Sequence, residues 1–112
     1  MVKIAALDLG SNSTRLLIAD ISGEKFNTLE RLHVVTKMAE GLEENGFISD
    51  EARQRVIKTL KTFLKKIKKH DVVEVFAVGT AAMRDSSNTE EFIDEIRRKL
   101  DIQVEIITGQ QE

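Results

Sequence analysis

Asp8-Leu9-Gly10-Ser11-Asn12-Ser13-Thr14-Arg15 is the stretch on which the reading of this chain turns. The apolar run from Val2 to Leu7 delivers an aspartate into a small, hydroxyl-rich turn, and a second apolar run, Leu16 to Ile21, carries the chain away. Strand, acid, glycine turn, strand is an arrangement suited to holding phosphate. Gly10 is expected to take a positive φ, where a Cβ would clash. Consecutive N–H groups of such a turn can converge on an anion. Ser11, Asn12, Ser13 and Thr14 add side-chain donors, and Asp8 could hold a metal ion or its water. The same residues also fit a β-hairpin whose turn is merely polar, and on this stretch alone the two readings stand level.

The chain around it has 112 residues, the size of one domain with a modest core. Apolar residues make up 41% and charged residues 32%, the balance of a globular chain rather than a disordered one. A net charge of −2 gives no field toward nucleic acid or an anionic membrane, and neither partner is expected. There is no cysteine, which excludes disulfides and thiolate metal sites. The opening residues lack the apolar run of a signal peptide and nothing approaches a membrane span, so a cytoplasmic protein is the expectation.

Lys3 to Asp8 reads as a central strand, apolar on both faces and therefore buried on both. Arg15 to Ser22 and Lys25 to Lys37 follow as strands, the latter alternating as an edge strand does. Short turns make these three an antiparallel meander. Residues 37–46 form a loop ending in the turn signal Asn45-Gly46. Ser49 is placed to cap a helix running to about His70, with Ala52, Val56, Leu60, Phe63, Leu64 and Ile67 on one stripe. Its lysines, from Lys58 to Lys69, read as a solvated face in preference to a polyanion track. Val72 to Val78 is a buried strand, ending in the small-residue turn Gly79 to Asp85. Asn88-Thr89-Glu90-Glu91 has the form of a capping box for a helix carrying Phe92, Ile96 and Leu100. Ile102 to Ile107 is the last strand, followed by a turn.

The element order is therefore β-β-β-α-β-α-β. Right-handed crossovers require the later strands to run parallel to their neighbours, giving an α/β fold with a mixed five-stranded sheet in the order 3-2-1-4-5. That order sets Asp8, Arg84 and Glu112 just past the C-terminal ends of three strands along one rim, where open α/β sheets bind ligands. His33 and His70 have no partners at metal spacing and read as structural, as Met38 and Met83 read as packing.

The loop Asp8 to Ser13 resembles the phosphate loop of the exopolyphosphatase and guanosine pentaphosphate phosphohydrolase family. Further stretches match that family in order and spacing: Ala39-Glu40-Gly41-Leu42, Gly46-Phe47-Ile48-Ser49, Val78 to Arg84, Asn88 with Phe92, and Ile106 to Glu112. The resemblance covers the whole chain. It implies a ribonuclease-H-like domain, one half of the fold shared by actin, sugar kinases and chaperone ATPases. It also implies a parent that hydrolyses the terminal phosphoanhydride of inorganic polyphosphate or guanosine pentaphosphate with Mg2+. Carried over by position, Gly10, Ser11, Asn12 and Ser13 bind phosphate and Asp8 serves the magnesium, mostly through water. Arg84 pairs with phosphate oxygens, and Glu112 is the catalytic carboxylate that positions or deprotonates the attacking water. Gln111 stands where the family usually has a glutamate. Residues 1–112 are expected to be a single domain, the first of a larger, homodimeric parent, without its final helix and second half.

Alone, such a domain is expected to bind phosphate weakly and turn over poorly, because charge stabilisation from the facing half is missing. Three alternatives differ in class. A sugar or acetate kinase of the same superfold would need an acceptor pocket that the sequence does not show. A nuclease would need several carboxylates on the central strands, where only Asp8 is found. A non-catalytic fragment would self-associate through the sheet face that a missing helix leaves bare.

Overall fold

The computed structural model describes residues 2–108. The elements are β1 (Val2–Leu9), β2 (Ser13–Ser22), β3 (Lys25–Val35), α1 (Leu42–Asn45), α2 (Asp50–Lys68), β4 (Glu74–Gly79), α3 (Ala81–Asp85), α4 (Thr89–Leu100) and β5 (Val104–Ile106). The sheet has the order β3-β2-β1-β4-β5. β1 pairs antiparallel with β2 and parallel with β4; β2 and β3 are antiparallel, and β4 and β5 parallel. This is the mixed sheet of a ribonuclease-H-like fold.

One face of the sheet carries the core. Leu7, Leu9, Leu16 and Ile18 meet Val56, Leu60 and Phe63 of α2 and Phe92 and Ile96 of α4, all within one buried cluster. Full burial of such a side chain contributes about 1.5–3 kcal/mol, so packing rather than helix propensity fixes both helices. Ser49 caps α2 as expected, its Oγ accepting the Ala52 N–H at 3.1 Å.

The opposite face is open among the described residues. Ala5, Leu7 and Leu9 of β1 are buried, whereas Ile4, Ala6 and Asp8 are only half-buried. The expectation of a strand buried on both sides therefore fails, because α2 and α4 lie on the same face. β4 departs further: it begins at Glu74, and Phe76 is 49% exposed and Val73 71%. A wholly apolar strand pattern cannot say which face will find a partner.

Other differences are local. Strands β2 and β1 reach closer to the turn than expected, taking in Ser13, Thr14 and Leu9. The loop at 37–46 contains α1, bounded by Gly41 and Gly46 at φ 80° and 78°. The small-residue turn after β4 is the helix α3. β5 is three residues long, shorter than the run Ile102 to Ile107 suggested. Asn88 makes no side-chain cap to α4. Its amide instead bridges the main chain of buried Ile48, with Oδ1 accepting from Ile48 N and Nδ2 donating to Ile48 O, each at 2.9 Å. No helix among the described residues is long and apolar enough to cross a membrane.

Candidate phosphate site

The register decides which side chains meet. Leu9 pairs with Thr14 and Asp8 with Arg15 across the β1–β2 turn, Arg15 pairs with His33, and Asp8 also pairs with Val78. Paired residues point to the same face, so Asp8, Arg15 and His33 form one row on the open side, at the C-terminal end of β1.

The turn closes through Gly10 N–H to Ser13 O at 3.0 Å. Gly10 is not among the glycines at positive φ, which are Gly23, Gly41 and Gly46. Close approach is what requires glycine here: an added Cβ would sit 2.9 Å from the Ser13 carbonyl oxygen. The Gly10 amide is thereby committed within the turn.

The loop's carbonyls are drawn away from the sheet end. Asn12 O accepts from Thr36 N at 3.0 Å and Lys37 N at 2.9 Å, and Ser11 O from Ala39 N at 3.0 Å. Lys37 takes the left-handed φ of 50° that lets successive amides converge. The segment is held in turn by Arg55, whose Nε donates to Thr36 O at 2.7 Å, and by the buried Thr14–Thr36 hydroxyl pair at 2.9 Å. Since C=O and N–H oppose each other in a trans peptide, those contacts turn the amides of Asn12 and Ser13 the other way. Among the described residues the N–H groups of Ser11 and Asn12 have no protein acceptor.

A cavity of about 280 Å³ lies at this point, lined by Asp8, Gly10, Ser11, Asn12, Ser13, Arg15 and Thr80. Asp8 Oδ1 is buried with no hydrogen-bond partner among the described residues. An acceptor placed thus is suited to a cation or its water. The described residues contain no cluster of three or more His, Asp or Glu able to hold a metal. A single carboxylate nevertheless fits Mg2+, which keeps several waters and completes its shell with substrate phosphate.

The structure thus gathers Asp8 and the loop Gly10 to Ser13. Arg84 does not line this cavity; its Nη1 donates to Ile107 O at 2.5 Å, tying α3 to the end of β5. Glu112 and Gln111 lie outside the described residues. Arg15 and Thr80 line the cavity although the sequence pattern does not single them out. Arg15 could have been found, because a turn centred between Ser11 and Asn12 pairs it with Asp8; Thr80 depends on the β1–β4 register. His70 lies on the helix side with Nε2 3.9 Å from Glu30, while His33 bonds to Ser13 Oγ beside the cavity.

The likeness to known proteins points the same way. The chain is 36% identical over 110 residues to a protein from Haemophilus influenzae named as a putative exopolyphosphatase, covering 98% of this chain and 34% of that one. It is 32% identical over 108 residues to a guanosine-5'-triphosphate,3'-diphosphate pyrophosphatase of Aliivibrio fischeri, covering 96% and 22%. The solved Aquifex aeolicus PPX-GPPA enzyme superposes with a TM-score of 0.94 at 34% identity, over 99% of this chain and 37% of that one. The chain thus spans about a third or less of the curated relatives it matches. With the sheet order, the loop and the cavity in agreement, and the family model matching residues 17–112, the chain belongs to the Ppx/GppA phosphatase family.

Proposed function

We propose that this domain supplies one wall of a Mg2+-dependent site that removes the terminal phosphate of inorganic polyphosphate or guanosine pentaphosphate in the cytoplasm. The observation that carries this is one cavity lined both by Asp8, whose Oδ1 is buried without a partner among the described residues, and by Ser11 and Asn12, whose N–H groups have no protein acceptor there. The loop binds the terminal phosphoryl oxygens through those amides and the Ser11 and Ser13 hydroxyls. Arg15 adds charge from the sheet side, and Arg84, in α3, pairs with phosphate from the rim. Asp8 holds magnesium, mostly through water; when bound, the ion offsets charge on the bridging and terminal oxygens. Glu112 positions or deprotonates the attacking water.

Most of the stabilisation in such a displacement is electrostatic and needs donors on both sides. The 112-residue chain alone therefore binds phosphate without useful turnover. The test is orthophosphate release from both substrates by a protein carrying this domain at its relatives' full length. Mg2+-dependent release that falls by at least a hundredfold on Asp8→Asn supports the reading. Phosphoryl transfer to a sugar or acetate in place of release would assign it to the kinase class.

The open sheet face favours a second reading for the isolated chain, association with a second copy. Leu17, Ala6 and Phe76 give an apolar middle, with Arg15, Arg31 and His33 toward one edge and Glu74 and Glu105 toward the other. A two-fold axis along β1 sets basic edge against acidic edge. A dimer in sedimentation that dissociates on Glu105→Lys supports this; a monomer at every concentration overturns it. Homodimerisation of the parent is a separate expectation, tested by the same measurement at full length.

A further inference from the structure

The two serines of the loop are held differently. Ser11 Oγ accepts the Ala82 N–H at 3.0 Å, so a lone pair is engaged and its proton is free to donate into the cavity. Ser13, only 7% exposed, has its Oγ 2.9 Å from His33 Nε2. A single proton lies between those two atoms, and its owner decides what Ser13 can offer. With Nε2 bare, Ser13 donates to the ring and turns only lone pairs toward the loop, the wrong polarity for a phosphate oxygen. With a proton on Nε2 the ring donates to Ser13, and the hydroxyl is released to donate to an anion.

The placement follows from the sheet. His33 sits opposite Arg15, and Ser13 is the next residue of β2 on the same face. The ring lines an adjoining cavity of about 450 Å³ in which the charged groups are Asp8, Arg15 and Arg31. The two cavities share Asp8 and Arg15, and Ser13 bonds across to His33 from the smaller one.

We infer that His33 is a positioning residue that sets the hydrogen-bond direction of Ser13, and that an anion in the loop selects the ring with its proton on Nε2. The inference rests on the loop being the phosphate cradle proposed above. For a neutral ring the proton gained at Nε2 is the one Nδ1 releases to solvent, so no net charge changes. Losing one hydrogen bond to a charged partner weakens binding about tenfold.

The test is a titration of the isotope-labelled 112-residue chain with inorganic sulfate, a dianion with no proton to exchange, at a pH where the histidines are neutral. Shifts of the Ser11 and Asn12 amides report occupancy, the His33 ring nitrogens report the tautomer, and His70 is the internal reference. The expected result is that His33 Nε2 becomes protonated in step with occupancy while His70 is unmoved. In Ser13→Ala the amides respond at about tenfold higher sulfate and the ring no longer follows. His33→Gln, whose amide can donate in place of Nε2–H, retains affinity within about twofold. His33→Glu, which only accepts, loses about tenfold, and most of that loss disappears in the Ser13→Ala background. A ring that stays unchanged while Ser11 and Asn12 respond, or one that changes equally in Ser13→Ala, overturns the inference and leaves the cradle standing. Amides that do not respond to sulfate remove the cradle and the inference together.

Discussion

Asn88→Ala distinguishes two roles for one side chain. As a helix cap, Asn88 would contribute about 1 kcal/mol, and serine or aspartate would replace it within a few tenths. In the structure its amide instead satisfies both the N–H and the carbonyl of Ile48, each at 2.9 Å, and Ile48 is fully buried. Leaving a buried backbone group without a partner costs about 1–3 kcal/mol. Two such groups, with some water entering where Asn88 is half-buried, give a loss of about 3 kcal/mol for Asn88→Ala. With an m-value of about 1.5 kcal/mol/M, the urea midpoint falls by about 2 M. Asn88→Ser, competent as a cap but unable to span Ile48, stays within about 1 kcal/mol of the alanine variant. A serine variant as stable as wild type would refute the bridging role and restore the cap.

Further variants probe the site and its frame. Gly10→Ala forces a Cβ onto the Ser13 carbonyl, and about 1–3 kcal/mol of destabilisation in urea unfolding is expected. Gly79→Ala places a Cβ into Met83, which is fully buried, with a similar loss that is less than additive with Met83→Ala. Asp8→Asn removes the charge of a half-buried carboxylate whose Oδ1 has no partner among the described residues; thermal unfolding is expected to find the variant at least as stable as wild type, with Mg2+ no longer strengthening phosphate binding. On the solvent side, hydrogen bonds from Arg97 and then Arg98 hold the Asp94 carboxyl below its ordinary value of 3.8. A depressed folded-state value means stability present above 3.8 and lost as pH falls through the folded value. Asp94→Asn removes that acid-side slope from a stability–pH profile.

Sheet order was legible because connection lengths and handedness leave few ways to arrange three short-linked strands followed by two helical crossovers. Burial was less legible. The run Val72 to Val78 is apolar almost throughout, and only the placement of both long helices on one face shows that Phe76 is exposed. α3 was missed because Ala81 to Asp85 reads equally as a small-residue turn, and its start is fixed by a contact from Ser11, far away in sequence. In the candidate site, that Asp8 and the loop lie together was readable because they are neighbours in the chain. Arg15 follows from the same turn, which pairs it with Asp8; Thr80 and His33 were not readable, since both enter through longer-range strand register, and the irregularity at Ile18/Ala19 shifts the β2–β3 pairing toward the far end of the hairpin. The predicted positive φ at Gly10 failed for a related reason: the tight constraint comes from the Ser13 carbonyl across the turn.

The central claim is that phosphate is held by the β1–β2 loop rather than by diffuse charge. Amide chemical shifts of the 112-residue chain during titration with tripolyphosphate and Mg2+ test it most directly, with Asp8→Asn alongside. The account predicts shifts concentrated at Ser11, Asn12, Ser13, Arg15 and Thr80, weakened by Asp8→Asn. Shifts spread along the lysine face of α2, from Lys58 to Lys69, and indifferent to Asp8→Asn would contradict it.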